Sequence, residues 1–173
     1  MKIAFIGLGN MGGGMAANLA KAVHSVNAFD LSEDALAAAK DKGCTTFTDA
    51  REAVQGADAI VSMLPNGEIV KTVYIDSVIG HAPQGAVLID CSTIDVATAK
   101  EVAAAAEGAG YAMVDAPVSG GIAAANGGTL TFMVGGSEEA FKRAEPVLQD
   151  MGKAVIHAGD AGAGQTAKIC NNM

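Results

Sequence analysis

Apolar residues come in two alternating rhythms along this chain. Short runs in which nearly every position is apolar are separated by longer stretches where apolar residues recur every three or four positions. "KIAFIG" (2–7) reads as a buried strand, and "NMGGGMAANLAKAV" (10–23) follows with Met11, Met15, Leu19 and Val23 spaced along one helical face. "SVNAFD" (25–30) reads as a second strand. In "SEDALAAAKDKG" (32–43), Ser32 supplies an N-cap, acids fill the first turn and Gly43 closes the helix. "CTTF" (44–47) is a short third strand, followed by a helical "DAREAVQG" (49–56). "DAIVSML" (58–64), a fourth strand, stops at Pro65, and "AVLIDCS" (86–92) is a fifth. "DVATAKEVAAAAEGAG" (95–110) is a helix and "YAMVDAP" (111–117) a sixth strand. Beyond them lie "TLTFMVGG" (129–136), the helix "SEEAFKRAEPVLQDMG" (137–152) and "KAVIHAG" (153–159), which add two strands.

Strand and helix in this rhythm predict an α/β fold with a mainly parallel sheet covered on both faces, and right-handed crossovers make it doubly wound. The late strands and a terminal helix are additions to that plan. No short repeat and no linker interrupts residues 1–161, which read as one domain, and residues 162–173, "GAGQTAKICNNM", open a further helix.

Composition narrows the function. Half of the 173 residues are apolar and 17% are charged, a balance that specifies a packed core. The net charge of −8 argues against a nucleic-acid partner, which needs a basic footprint, and against an anionic membrane surface. No apolar run approaches the ~20 residues of a spanning helix. "MKIAFIGLG" is already strand and turn, so no targeting segment is expected ahead of it. Cys44, Cys91 and Cys170 are odd in number and scattered, and His24, His81 and His157 are isolated. Neither a disulfide framework nor a metal site is indicated, and a reducing compartment is expected: the cytoplasm, or the mitochondrial matrix if a transit peptide has been removed.

The strongest local signal is "FIGLGNMGGGM", in which Gly7, Gly9 and Gly12 fit G-x-G-x-x-G between a strand and a helix. Gly7 permits the tight turn, Gly9 lets the backbone approach a pyrophosphate, and Gly12 lets the helix pack close to the sheet. The helix start then offers free N–H groups and the positive end of its dipole to the anion. The same glycines also suit a tight turn that binds nothing. Asp30, closing the second strand about 20 residues on, favours the dinucleotide reading: a carboxylate there accepts the ribose hydroxyls of NAD and repels the 2′-phosphate of NADP. No arginine lies near it in the sequence. Gly13 and Gly14 are surplus to the motif, and each costs a helix about 1 kcal/mol relative to Ala.

Four segments in order resemble the β-hydroxyacid dehydrogenases: "FIGLGNMGGGMAANL" (5–19), "MLPNG" (63–67), "DAPVSGG" (115–121) with "GTLTFMVGG" after it, and "GAGQTAKICNN". The resemblance implies a Rossmann-type dinucleotide-binding domain and NAD as cofactor. It implies that Gly7, Leu8, Gly9, Asn10, Met11 and Gly12 hold the cofactor, with Asp30, Leu31, Leu64 and Pro65, and that Thr93 sits near the nicotinamide. It implies that Ser119, Gly120 and Gly121 hold a substrate carboxylate, that Lys168 is the catalytic acid/base, and that Asn172 touches substrate beside it. From spacing alone, "SGG" is an ordinary loop or an anion nest, and Lys168 and Asn172 share one helical face, as a solvated lysine also could. Gly164, one turn earlier, leaves room there for a ligand.

The resemblance further implies hydride transfer between a small 3-hydroxy acid and NAD, with 3-hydroxyisobutyrate, tartronate semialdehyde and L-serine as candidate substrates and valine breakdown as one setting. The hydroxyl proton would pass to Lys168, whose neutral form is favoured by burial near the positive nicotinamide. Family members continue into an all-helical second domain that closes the cleft and makes a homo-oligomer. The expectation is an N-terminal piece that binds NAD with little or no turnover. A non-catalytic dinucleotide-binding module is the alternative of another class.

Overall fold

The computed structural model describes residues 1–171. Among the described residues nine strands form one sheet: β1 (Lys2–Ile6), β2 (Ser25–Phe29), β3 (Thr45–Phe47), β4 (Ala59–Ser62), β5 (Val87–Asp90), β6 (Ala112–Asp115), β7 (Val118–Ser119), β8 (Leu130–Gly135) and β9 (Gly152–Gly159). Their order is β3-β2-β1-β4-β5-β6-β8-β7, with β9 also paired to β8. β1 to β6 are mutually parallel, β8 is antiparallel to β6 and β7, and β9 is parallel to β8. The expected doubly wound sheet with extra C-terminal strands is therefore the observed one.

The alternation along β1 explains the layers. Ile3 and Phe5 face one core with Met15, Leu19, Phe132 and Leu148; Ala4 and Ile6 face the other with Val54, Val70, Tyr74 and Val102. Helices α1 (Gly12–Lys21), α2 (Glu33–Asp41) and α7 (Glu138–Gln149) line the first face, and α3 (Ala50–Ala53), α4 (Gly67–Val73) and α5 (Val96–Gly108) the second. The expected cap is present, Ser32 Oγ accepting from the Ala35 N–H, and a second one, Ser137 Oγ accepting from the Ala140 N–H, starts α7.

Four local features depart from the sequence reading. Val23 does not extend the apolar face of α1: it adopts φ +69°, lies 90% exposed, and closes the helix as His24 N–H bonds the Leu19 carbonyl and Val23 N–H that of Ala20. Residues 67–78 are helical, α4 running into a π-helical turn at Tyr74–Val78. The cue was the Asn66 N-cap, whose Oδ1 accepts from Ile69 N–H. Helix α6 (Gly121–Gly127) follows "SG", ended by Gly128 in the left-handed region. Strand β7 prolongs β6 after a break at Ala116–Pro117, where proline has no N–H to give the ladder.

Helix α8 (Ala163–Asn171) closes the described chain. No helix among the described residues is long and apolar enough to cross a membrane.

Candidate functional site

The strand order reverses between β1 and β4, and the loops past their carboxyl ends form the crevice where open α/β sheets take ligands. Gly7 turns the chain there at φ +101°, and a side chain on it would run into the Met63 carbonyl at the end of β4. A Cβ on Gly12 would collide with the Gly7 carbonyl, so α1 starts directly against the turn. A Cβ on Gly9 would meet nothing within 4 Å; its backbone faces open space. Gly14 gains a reason the sequence did not offer. Its bare Cα lets α1 press against α6, where a Cβ would lie 3.0 Å from Asn126 N and 3.1 Å from Ala125 C. Asn18 Nδ2 reinforces that contact by donating to the Ala125 carbonyl (2.8 Å).

A cavity of about 850 Å³ opens onto this turn. Gly7, Gly9, Asn10, Met11, Gly12, Asp30, Leu31, Leu64 and Pro65 line it together. Its size falls in the range of cofactor pockets. Leu8 does not line it; its buried side chain joins the core, and its N–H donates to Asp30 Oδ2 (2.7 Å). Ser32 N–H donates to Asp30 Oδ1 (2.8 Å), so both carboxylate oxygens are oriented by backbone while each keeps acceptor capacity. The fold corrects one expectation here. Arg51, distant from Asp30 in sequence, stands in the same cavity wall, its Nε donating to the Asp76 carbonyl (3.1 Å).

Beneath the Leu64–Pro65 loop lies a buried polar chain. Tyr74 Oη donates to Ser62 Oγ (2.6 Å), Ser62 Oγ to Asp90 Oδ1 (2.9 Å), and Ser92 Oγ and N–H both to Asp90 Oδ1 (2.6 and 3.1 Å). Ser92 Oγ in turn accepts from Leu64 N–H (2.7 Å). Burial pushes the Asp90 carboxyl up to about 6, against the hydrogen bonds from Ser92 and Ser62 that hold it down. The sequence does not reveal this group, because Ser62 and Asp90 end apolar strands, Ser92 follows one, and Tyr74 joins them only from the helical turn at Tyr74–Val78.

The start of α8 is fastened to the same carboxyl edge. Asp115, ending β6, accepts from Gly162 N–H at Oδ1 (2.8 Å) and from Gln165 N–H at Oδ2 (3.0 Å). Burial raises its carboxyl, and those N–H groups oppose the rise. Gly164 leaves room for this anchor and not for a ligand: a Cβ would lie 2.7 Å from the Asp115 carbonyl oxygen and would also strike that of Met133. Gln165 Nε2 donates to the Ser92 carbonyl (2.8 Å), and its Oε1 accepts from Ile94 N–H (3.2 Å). Thr93, exposed, lies between those two residues, and Lys168 lies one turn along α8, partly exposed. Ser119 ends β7 beyond the carboxyl edge, and Gly120 and Gly121 follow at φ +132° and +74°. Thr93, Ser119, Gly120, Gly121 and Lys168 are not in the cavity wall. Asn172 lies outside the described residues.

The histidines do not converge. His24 Nε2 meets Asp150 Oδ2 (2.6 Å), and His157 stacks on Phe141 with Nε2 near the Gly136 carbonyl (2.8 Å).

Residues 2–159 match the family described as the NAD binding domain of 6-phosphogluconate dehydrogenase. A 3-hydroxyisobutyrate dehydrogenase of Pseudomonas aeruginosa is 51% identical, over 99% of this chain and 58% of its own length. An NAD-dependent L-serine dehydrogenase of the same bacterium is 49% identical over the same shares. The solved structure of the Mycobacterium tuberculosis 3-hydroxyisobutyrate dehydrogenase with L-serine superposes with a TM-score of 0.96 at 50% identity, covering 99% of this chain and 58% of that one. The chain thus spans somewhat under three fifths of the length of these relatives.

Proposed function

We propose a function from the premise that this chain belongs to the family of the NAD binding domain of 6-phosphogluconate dehydrogenase, which residues 2–159 match. The chain binds NAD and serves hydride transfer between that cofactor and a small 3-hydroxy acid. The observation that carries the reading is the cavity at the β1/β4 reversal. One enclosure gathers a glycine turn with open backbone, the oriented carboxylate of Asp30 and the Leu64–Pro65 loop. Gly9 and the N–H groups at the start of α1 would hold the pyrophosphate, and Asp30 would accept the ribose hydroxyls. The nicotinamide supplies hydride acceptance when bound. Thr93 flanks that end, and Ser119 with the N–H groups of Gly120 and Gly121 receives the substrate carboxylate. Lys168 takes the hydroxyl proton during oxidation and returns it in reverse, with Asn172 beside it on the substrate. The fastening of α8 to β6 and to the β5–α5 turn supports this role, since it holds the lysine helix at the edge that carries the glycine turn.

Relatives that act on 3-hydroxyisobutyrate and on L-serine are almost equally similar, so both belong in the substrate class; 3-hydroxyisobutyrate is the first choice and tartronate semialdehyde a further one. The setting is the cytoplasm, and the assembled enzyme is a homo-oligomer. NADH formation by protein of the relatives' full length, measured with 3-hydroxyisobutyrate and L-serine side by side, identifies the substrate. Lys168→Ala, folded and still binding NAD, loses nearly all of that rate; an unchanged rate removes the lysine from the mechanism.

A further inference from the structure

Gln165 is an unusual residue to find at 1% exposure in α8, where every other position but Gly164 is at least partly exposed. Both ends of its amide are committed to backbone on the β5–α5 turn, Nε2 to the Ser92 carbonyl and Oε1 to the Ile94 N–H. Its own N–H is committed to Asp115. A buried polar side chain that only filled space would cost more than leucine, so the site is built around these bonds.

The bonds join two places that the function needs to hold in register. On one side, Ser92 Oγ accepts from the N–H of Leu64, a residue of the cofactor cavity wall. Thr93 is gripped between the two backbone partners of the amide. On the other side, Lys168 follows Gln165 by nearly one turn on α8, within about 60° of the same helix face. Resting on the reading of Lys168 as the acid/base, we propose that Gln165 is the positioning residue that sets the lysine amine against Thr93 and the cofactor. It acts through helix α8 and touches neither cofactor nor substrate. Asp115 anchors the axial position of the helix; Gln165 sets its distance from the β5–α5 turn.

The 173-residue chain itself can test this. Lysines are ¹³C-methylated, and the Lys168 resonance is identified by its loss in Lys168→Arg. The position of that resonance is then followed as NAD is added. In the unsubstituted chain the Lys168 methyl resonance moves on NAD binding. In Gln165→Leu the affinity for NAD stays within about twofold, because Gln165 is not in the cavity wall, while most of the Lys168 movement is lost. Gln165→Glu keeps the acceptor for Ile94 N–H and loses the donor to Ser92. It shows a partial loss and carries the decision if the leucine variant does not fold. Where turnover is measured, kcat falls by up to about a hundredfold with KM for NAD unchanged. A full Lys168 response in folded Gln165→Leu, or in Gln165→Glu alone if leucine is not tolerated, makes Gln165 a packing residue and overturns the proposal. A Lys168 that ignores NAD in the unsubstituted chain overturns the acid/base reading itself, and the inference falls with it.

Discussion

Asp90 is the residue whose environment departs furthest from that of a surface carboxylate. Burial lifts it from an ordinary 3.8 to about 6, so the folded chain holds a proton there that the unfolded chain has released. The stabilisation tied to that proton is complete below about pH 4, drains away as pH rises, and is gone above about pH 6. Over that window it amounts to something on the order of 3 kcal/mol. Asp95, lowered by its bonds to Thr98, acts in the opposite direction at more acid pH, whereas Asp115, raised by burial, acts in the same direction and is coupled to Asp90 through its charge, so comparison with Asp90→Asn reports Asp90 together with that coupling. Urea unfolding at pH 4 to 7 is expected to show the unsubstituted chain gaining on Asp90→Asn as pH falls. A difference flat in pH would mean that Asp90 titrates as an ordinary carboxylate. Val23 belongs to the same scale: a β-branched residue at positive φ is strained, and it stands where glycine usually ends a helix.

Helix α1 shows how one element can carry two opposite uses of glycine. Gly13 and Gly14 each forgo about 1 kcal/mol of helix propensity. A Cβ on Gly13 would meet only the Leu8 carbonyl, at 3.4 Å, an ordinary contact. A Cβ on Gly14 would press on the backbone of α6 at Ala125 and Asn126. Gly13→Ala is therefore expected to stabilise the cofactor-free chain by about 1 kcal/mol, whereas Gly14→Ala destabilises it by about 1–2 kcal/mol as α6 is pushed away. Thermal unfolding of the two variants decides; equal stabilisation by both would mean that α6 is not held against α1. The helix pattern of α1 was legible because Met15 and Leu19 recur on its buried face. Helix α6 was not, because an alanine run between glycines carries no amphipathic signal and is specified by what it packs on.

At the scale of the whole molecule, a chain of net charge −8 presents one cavity to an anionic dinucleotide, and local geometry must prevail over the global field. The fold puts Asp30 from the end of β2 and Arg51 from α3 into that same wall. Asp30→Asn is expected to weaken NAD about tenfold or more, the scale of one charge-assisted hydrogen bond, and to narrow its advantage over NADP, since the wall then sets one carboxylate fewer against Arg51, with Asp49 and Asp76 remaining. Fluorescence titration with both cofactors measures this, and an unchanged ratio would remove Asp30 from cofactor selection. The alternation of apolar runs determined the doubly wound sheet, and the glycine motif with Asp30 marked residues that the fold gathers around one cavity. Both are local: period, turn chemistry and spacing write them into contiguous residues. Only the tertiary structure brought Arg51 into the same cavity wall as Asp30, laid Gly14 against α6, and joined Ser92, Ile94 and Asp115 to Gln165. Those relations link positions far apart in sequence, and all but that of Arg51 and Asp30 run through backbone groups, which every residue carries alike and which leave no mark in the order of side chains.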